Sequence, residues 1–148
     1  MAAGEREDKS GELLVGLLSG EGYEVDHRVV PDEPAEIAGA IRDLAQNAGL
    51  VLTTGGTGVA PRDVTPEATE SVLDRRVPGI AEALRADAIR KTPHGLLGRG
   101  VAGILGRTLV VNLPGSTGGC RDGFELIKPA LPHALELITG SPTEHEQT

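Results

Sequence analysis

Aromatic residues are almost missing from this sequence: 148 residues include one tyrosine, one phenylalanine and no tryptophan. A chain of this length still buries a real core. That core must be built from leucine, valine, isoleucine and alanine. Cysteine is limited to Cys120, which excludes an intrachain disulfide and a cysteine-rich metal site. There is no apolar run long enough to span a bilayer and no signal-peptide pattern, so a cytoplasmic protein with no membrane partner is the expectation. Positive charge is also scarce, with 14 Lys+Arg against 22 Asp+Glu and a net charge of −8. This argues against nucleic-acid binding, which needs a basic face. An anionic small ligand would need local donors or a cation to offset the field.

Glycine, by contrast, is abundant, at 21 residues, and its use is most informative at positions 50–66. Leu50, Val51, Leu52, Thr53 and Thr54 read as a short buried strand. Gly55, Gly56, Thr57 and Gly58 follow at once. Glycine allows positive φ and close approach of backbone to a ligand. Such a loop at a strand end turns several N–H groups toward one point, which suits a phosphate. Thr65 then reads as a helix N-cap, with Pro66 at the first helical position and Glu67 in the first turn. The segment is neither a Walker A loop nor the Gly-x-Gly-x-x-Gly fingerprint. Taken alone it also fits a tight strand-to-helix connection without a ligand.

Before this segment, Ser10 can cap a helix carrying Leu13, Leu14, Leu17 and Leu18 on one face, stopped at Gly20 and Gly22. Residues 23–30 alternate in polarity and predict a half-exposed strand. A turn at 31–34 leads to an amphipathic helix with Ile37, Ile41, Leu44 and Ala48, ended by Gly49. After the loop come helices from 65 to about 74 and from 78 to about 91. Residues 101–105 and 108–113 are β-prone and joined by Gly106-Arg107, which suits a type II′ hairpin. Pro114, Gly115 and Ser116 begin a second glycine loop, and a last helical region broken by Pro129 and Pro132 ends near Gly140. The pattern predicts one α/β domain over residues 1–140, with a three-layer, mostly parallel central sheet, helices on both faces and a small hairpin. Residues 141–148 read as a polar tail. An α/β chain usually opens on a strand, and this one opens on a charged segment and a helix.

Asp32 and Asp63 are the acids that stand beside such turns. If their strands are neighbours, both reach one sheet edge, and paired carboxylates near a phosphate cradle suit Mg²⁺, which takes one or two carboxylates plus phosphate oxygens. The competing roles are a helix cap ahead of Pro34 for Asp32 and a turn residue for Asp63. No histidine stands at metal-ligand spacing from another ligand type. Cys120 sits near a helix start, which can lower a thiol pKa, but fits better as a small apolar residue. Ser116 suits a hydroxyl contact to a ligand better than a nucleophile.

Together, Thr53-Thr54-Gly55-Gly56-Thr57-Gly58, Arg62-Asp63-Val64-Thr65-Pro66-Glu67-Ala68-Thr69, Pro78-Gly79-Ile80-Ala81-Glu82-Ala83-Leu84-Arg85 and Asn112-Leu113-Pro114-Gly115-Ser116 closely resemble the molybdopterin adenylyltransferase family, to which the gephyrin G domain is related. The resemblance runs from residue 4 to about residue 140. It implies a cytoplasmic homotrimer that joins AMP from ATP to the terminal phosphate of molybdopterin, with Mg²⁺ and release of pyrophosphate, and a possible molybdenum insertase as partner. It matches Asp32 and Asp63 to the family's functional, metal-holding aspartates. Thr54 and the 55–58 loop match the nucleotide-phosphate cradle, and Pro114, Gly115 and Ser116 match the pterin side. A binding protein of the same fold without catalysis is the alternative. Two departures stand out. The family pattern begins with an apolar strand ending in Ser-Asp, so the first strand is expected to be missing here. Gly98 stands where relatives often carry serine.

Overall fold

The computed structural model describes residues 8–140. In chain order its elements are α1 (Lys9–Gly20), α2 (Pro34–Ala45), β1 (Leu50–Thr54), α3 (Thr65–Glu70), β2 (Arg75–Arg76), α4 (Pro78–Lys91), β3 (Ala102–Leu105), β4 (Thr108–Leu113), α5 (Thr117–Ile127) and α6 (Leu131–Thr139), with 3-10 turns at Pro93–Leu97 and Lys128–Ala130. The polar tail at 141–148 and most of the charged opening segment lie outside the described residues.

β4 is the centre of the sheet, and all six of its residues are buried. Its side chains alternate between two cores. Leu109, Val111 and Leu113 join Leu14, Cys120, Phe124, Ile127 and Leu131 on one face. Val110 joins Val51, Ile37, Ala38, Ile41, Ala68 and Val72 on the other. This period of two puts α1, α5 and α6 over one face and α2 and α3 over the other. The expected three layers are therefore present, and the core is aliphatic apart from Phe124.

The sheet runs β1-β4-β3-β2. Only the β1–β4 pair is parallel, since β3 pairs antiparallel with β4 and β2 antiparallel with β3. The α/β class holds, but the sheet is mixed rather than mostly parallel. The hairpin that the sequence marked as small supplies two of its four strands. Gly106 turns that hairpin at φ +62°, and among the described residues no non-glycine residue has positive φ, which is the type II′ pattern. The two-residue β2 was not legible. It can pair because Gly103 has no side chain: a Cβ there would lie 2.4 Å from the Arg75 carbonyl oxygen.

Local capping differs from the sequence expectation in three places. Asp8, not Ser10, caps α1 by accepting from the Gly11 N–H at 3.2 Å, and Ser10 is buried inside the helix. Thr65 is the first residue of α3, whose N-cap is Val64. α2 ends at Ala45, before Gly49, and Thr108 Oγ1 donates to the carbonyls of Ala45 and Ala48 just past that end. In the last two cases a tertiary contact overrides the local signal.

Residues 23–30 form no strand. β1 is also less buried than a parallel core strand, with only Val51 fully covered. Both facts have one cause. β1 pairs with β4 on one edge, and along its other edge runs a groove of about 590 Å³ whose far wall is the 23–30 segment. Leu14 and Leu18 line it from one helix layer, and Ile37 and Ile41 from the other. A sheet edge on one side and helices above and below define the cross-section of a strand site. Among the described residues no strand occupies it. Among the described residues the alternating 23–30 segment has no strand to pair with, and its backbone groups form no ladder.

Joining an apolar strand of about five residues ahead of Ala2 is expected to fill this groove and raise the melting temperature. About 1 kcal/mol shifts a domain of this size by roughly 2–4 °C, so a gain of several degrees is readable by calorimetry. An unchanged melting temperature would mean that the groove does not take a strand.

Candidate active site

The chain leaves β1 by continuing the ladder for one residue, with Gly55 N–H donating to the Leu113 carbonyl at 3.1 Å. It then turns through φ +89° at Gly55 and +69° at Gly56, a region that side chains other than glycine rarely enter. At this point the two glycine loops meet. A Cβ on Gly115 would stand 3.0 Å from the Gly55 Cα, so the approach is backbone to backbone. The parallel register that ends with Thr54 opposite Leu113 brings Thr54, Gly55, Pro114 and Gly115 to one sheet edge. The sequence had marked both loops, and the structure joins them.

The first loop is held from three directions. The Gly56 carbonyl accepts from the Thr65 N–H at 3.1 Å. Thr65 is itself buried, and its Oγ1 fills the place where a Gly56 Cβ would lie. Asp63 closes the turn after the loop: its Oδ2 accepts from the Ala60 N–H at 2.9 Å, while its own N–H donates to the Ala60 carbonyl at 2.9 Å. Asp63 therefore has the turn duty that the sequence reading ranked second. The third hold is Arg99. Its backbone N–H donates to the Thr57 carbonyl at 2.8 Å. Its Nε donates to the Gly58 carbonyl at 2.7 Å and its Nη2 to the Asp63 carbonyl at 2.6 Å. Its Nη1 donates to Glu67 Oε2 at 2.5 Å.

The charges follow this geometry. The Arg99 hydrogen bond holds the Glu67 carboxyl below its ordinary value, and the same bond raises Arg99. Cys120 moves the other way from a helix-start thiol: burial pushes it up to about 11, so it is an inert core residue. Ser116 caps α5 by accepting from the Gly119 N–H at 3.1 Å, so its hydroxyl has a structural task at the mouth of the second loop.

Asp32 lies on the other side of the site. It lines the end of the groove beside β1 together with Thr53, Thr54, Gly55 and Thr65. The N-cap of α2 is Glu33, so the cap position does not belong to Asp32. Among the described residues no group of three His, Cys, Asp or Glu is placed to hold a metal. A site of one or two carboxylates completed by substrate phosphate is the kind that Mg²⁺ takes; Asp32 lines the groove, whereas Asp63 is not among the groove's lining residues and holds the turn at Ala60.

Three residues make ties here that sequence reasoning did not assign. Arg99 lies 36 residues from Asp63, too far for any spacing rule. Its only signal was its place next to Gly98 and Gly100. Asn112 is buried and ties the ends of three elements: its Nδ2 donates to Thr53 Oγ1 at 2.9 Å and to Thr69 Oγ1 at 3.1 Å, and its Oδ1 accepts from the Val101 N–H at 3.1 Å. His27 pairs with Asp8 at 2.7 Å across the end of the groove.

Known proteins are similar to this chain in sequence and in fold. Residues 1–133 match a family described as a probable molybdopterin binding domain. The chain is 40% identical to gephyrin from Dictyostelium discoideum over 91% of its own length, but spans only 20% of that protein. It is 37% identical to a molybdopterin adenylyltransferase from Helicobacter pylori, covering 91% of this chain and 80% of that one. Among solved structures, the molybdopterin biosynthesis enzyme MoaB from Thermus thermophilus superposes with a TM-score of 0.86 at 51% identity, covering 94% of this chain and 89% of that one.

The Arg99–Glu67 pair makes a pH-dependent contribution with a defined sign. Glu67 is lowered from 4.5, so its contribution is fully present above that value and is lost as pH falls through the folded-state value. Glu67→Gln should lower the melting temperature slightly at pH 7, the pair being exposed. The gap to wild type should close as the pH drops below 4.5. A gap that widens toward low pH would contradict the assignment.

Proposed function

This chain belongs to the probable molybdopterin binding domain family, and we propose that it is a nucleotidyltransferase of molybdenum cofactor biosynthesis, transferring AMP from ATP to the terminal phosphate of molybdopterin. The observation that carries this reading is the meeting of the two glycine loops at Gly55 and Gly115, one suited to a phosphate chain and one beside it for the acceptor. Adenylyltransferase relatives of similar length support it.

In this reading the terminal phosphate oxygen of molybdopterin attacks the α-phosphorus of ATP. The bond between the α-phosphorus and the bridging oxygen breaks, and pyrophosphate leaves with the electron pair. The attacking phosphate is already anionic, so no protein nucleophile is needed, and positioning and charge neutralisation dominate. The loop of Thr54, Gly55, Gly56, Thr57 and Gly58 holds the phosphates through the amides it leaves free, those of Thr57 and Gly58, the Gly55 N–H being donated to the Leu113 carbonyl. Pro114, Gly115 and Ser116 flank the pterin side. Asp32 and Asp63 would hold Mg²⁺, which when bound supplies positive charge at the phosphates and so offsets a chain of net charge −8. The unit is residues 1–140, active in the cytoplasm as a homotrimer, with a molybdenum insertase downstream.

Binding of molybdopterin without turnover is the second reading. The groove beside β1 favours it, because that groove reaches Asp32, Thr54 and Gly55 and among the described residues no strand runs along that side of the site.

Pyrophosphate release with ATP, Mg²⁺ and molybdopterin separates the two. Asp63→Asn retains an acceptor for the Ala60 N–H and loses the charge, and it should cut turnover by about 100-fold or more. Near-normal turnover would remove Asp63 from the chemistry. Asp32→Asn should also slow the reaction, and a full rate would show that its charge is not needed. Wild type that retains molybdopterin but releases no pyrophosphate establishes the binding-only reading. The same preparation should sediment as a trimer, and a monomer that turns over would remove that part.

A further inference from the structure

Arg99 lies outside the motifs that mark the site, yet it grips the first glycine loop by backbone and side chain together. We infer that Arg99 is the positioning residue that turns the Gly58 and Val59 amides toward the nucleotide phosphates, the first through its backbone N–H and the second through its guanidinium. The inference rests on the nucleotide reading of that loop and names the part that makes it work.

The argument starts from the peptide unit. A trans peptide is planar, so the carbonyl of one residue and the N–H of the next point in opposite directions. The carbonyls of Thr57 and Gly58 both point at Arg99. The N–H groups of Gly58 and Val59 must therefore point away from it. The Gly56 carbonyl is drawn to the Thr65 N–H, which turns the Thr57 N–H away from α3 in the same manner. Among the described residues, none of these three amides donates to a protein acceptor. Three successive free N–H groups on a partly buried glycine loop make a concavity for an anion. Arg99 is bound to carbonyls at both ends of the exposed 59–62 turn, Gly58 before it and Asp63 after it. This fixes the direction of those peptide planes before any ligand arrives.

Lysine cannot replace this arrangement. Guanidinium offers planar donors that reach Gly58, Asp63 and Glu67 at once, whereas an ammonium is a point charge on a flexible stem. Glu67 holds the guanidinium in register through Nη1. Arg85 supports the same segment from behind, donating from Nη1 to the Gly100 carbonyl at 2.9 Å.

The test measures ATP, tripolyphosphate and molybdopterin binding by calorimetry for the full chain and for Arg99→Ala and Arg99→Lys, with melting curves for each. Wild type should bind ATP and tripolyphosphate. Arg99→Ala should weaken both by about 10- to 100-fold, the range set by losing charge-assisted hydrogen bonds, while molybdopterin affinity stays unchanged. In turnover the loss should appear in the KM for ATP more than in kcat. Arg99→Lys should melt near wild type and still bind ATP more weakly, which covers the case in which Arg99→Ala does not fold. ATP affinity equal to wild type in the folded variants overturns the role of Arg99 and leaves the nucleotidyltransferase reading standing. Equal loss of ATP and molybdopterin shows a merely structural role and also overturns it. Wild type that binds neither ATP nor tripolyphosphate overturns both readings together.

Discussion

A peptide plane cannot present its carbonyl and its amide to the same side, and the candidate site depends on how that constraint is resolved in one loop. Between Gly56 and Gly58 every carbonyl is drawn to a protein donor: Gly56 to the Thr65 N–H, Thr57 to the Arg99 N–H, and Gly58 to Arg99 Nε. The amides are left over, facing the other way. Glycine at 55 and 56 supplies the positive φ that the turn requires. A chain of net charge −8 can thus offer a local cradle for an anion without a basic patch, because the donors are backbone groups held in place by the Thr65 N–H and by the backbone and guanidinium of Arg99.

The layers behind the loop serve the same end. β4 is buried along its whole length and carries both cores by simple alternation. Its parallel pairing with β1 sets Thr54 beside Leu113 and so fixes where both glycine loops begin. Asn112 adds a polar tie at that point, with its hydrogen-bonding groups satisfied by Thr53, Thr69 and Val101 inside the protein. A buried amide satisfied in this way favours one register, because any slip leaves it unpaired. Among the described residues no strand supports the outer edge of β1, and the groove along it reaches Asp32.

Much of this was legible in the sequence, and the boundary between legible and hidden is physical. Glycine loops, hairpin turn and helix faces depend on neighbours within a few residues. α4 begins at Pro78 and ends at Lys91 as its pattern indicates, and Gly106 turns the hairpin as its dipeptide indicates. The sheet's mixed direction was hidden because it depends on how the hairpin docks against β1. The failure of 23–30 to become a strand was hidden because alternation says only which face is apolar, and a strand needs a partner as well. Asp32 and Asp63 were singled out, but the turn duty of Asp63 was ranked second, because it needs the Ala60 N–H in place. Arg99 was missed because its partners lie 32 to 41 residues away.

Function then rests on which amides the nucleotide touches. Nitrogen-15 correlation spectra recorded while ATP is added test this most directly, since each backbone N–H reports its own hydrogen bonding. The account predicts that the largest shift changes fall on Thr57, Gly58 and Val59, with smaller changes at Gly115 and Ser116. Changes confined to the groove between β1 and residues 23–30, with the 57–59 amides unmoved, would contradict it.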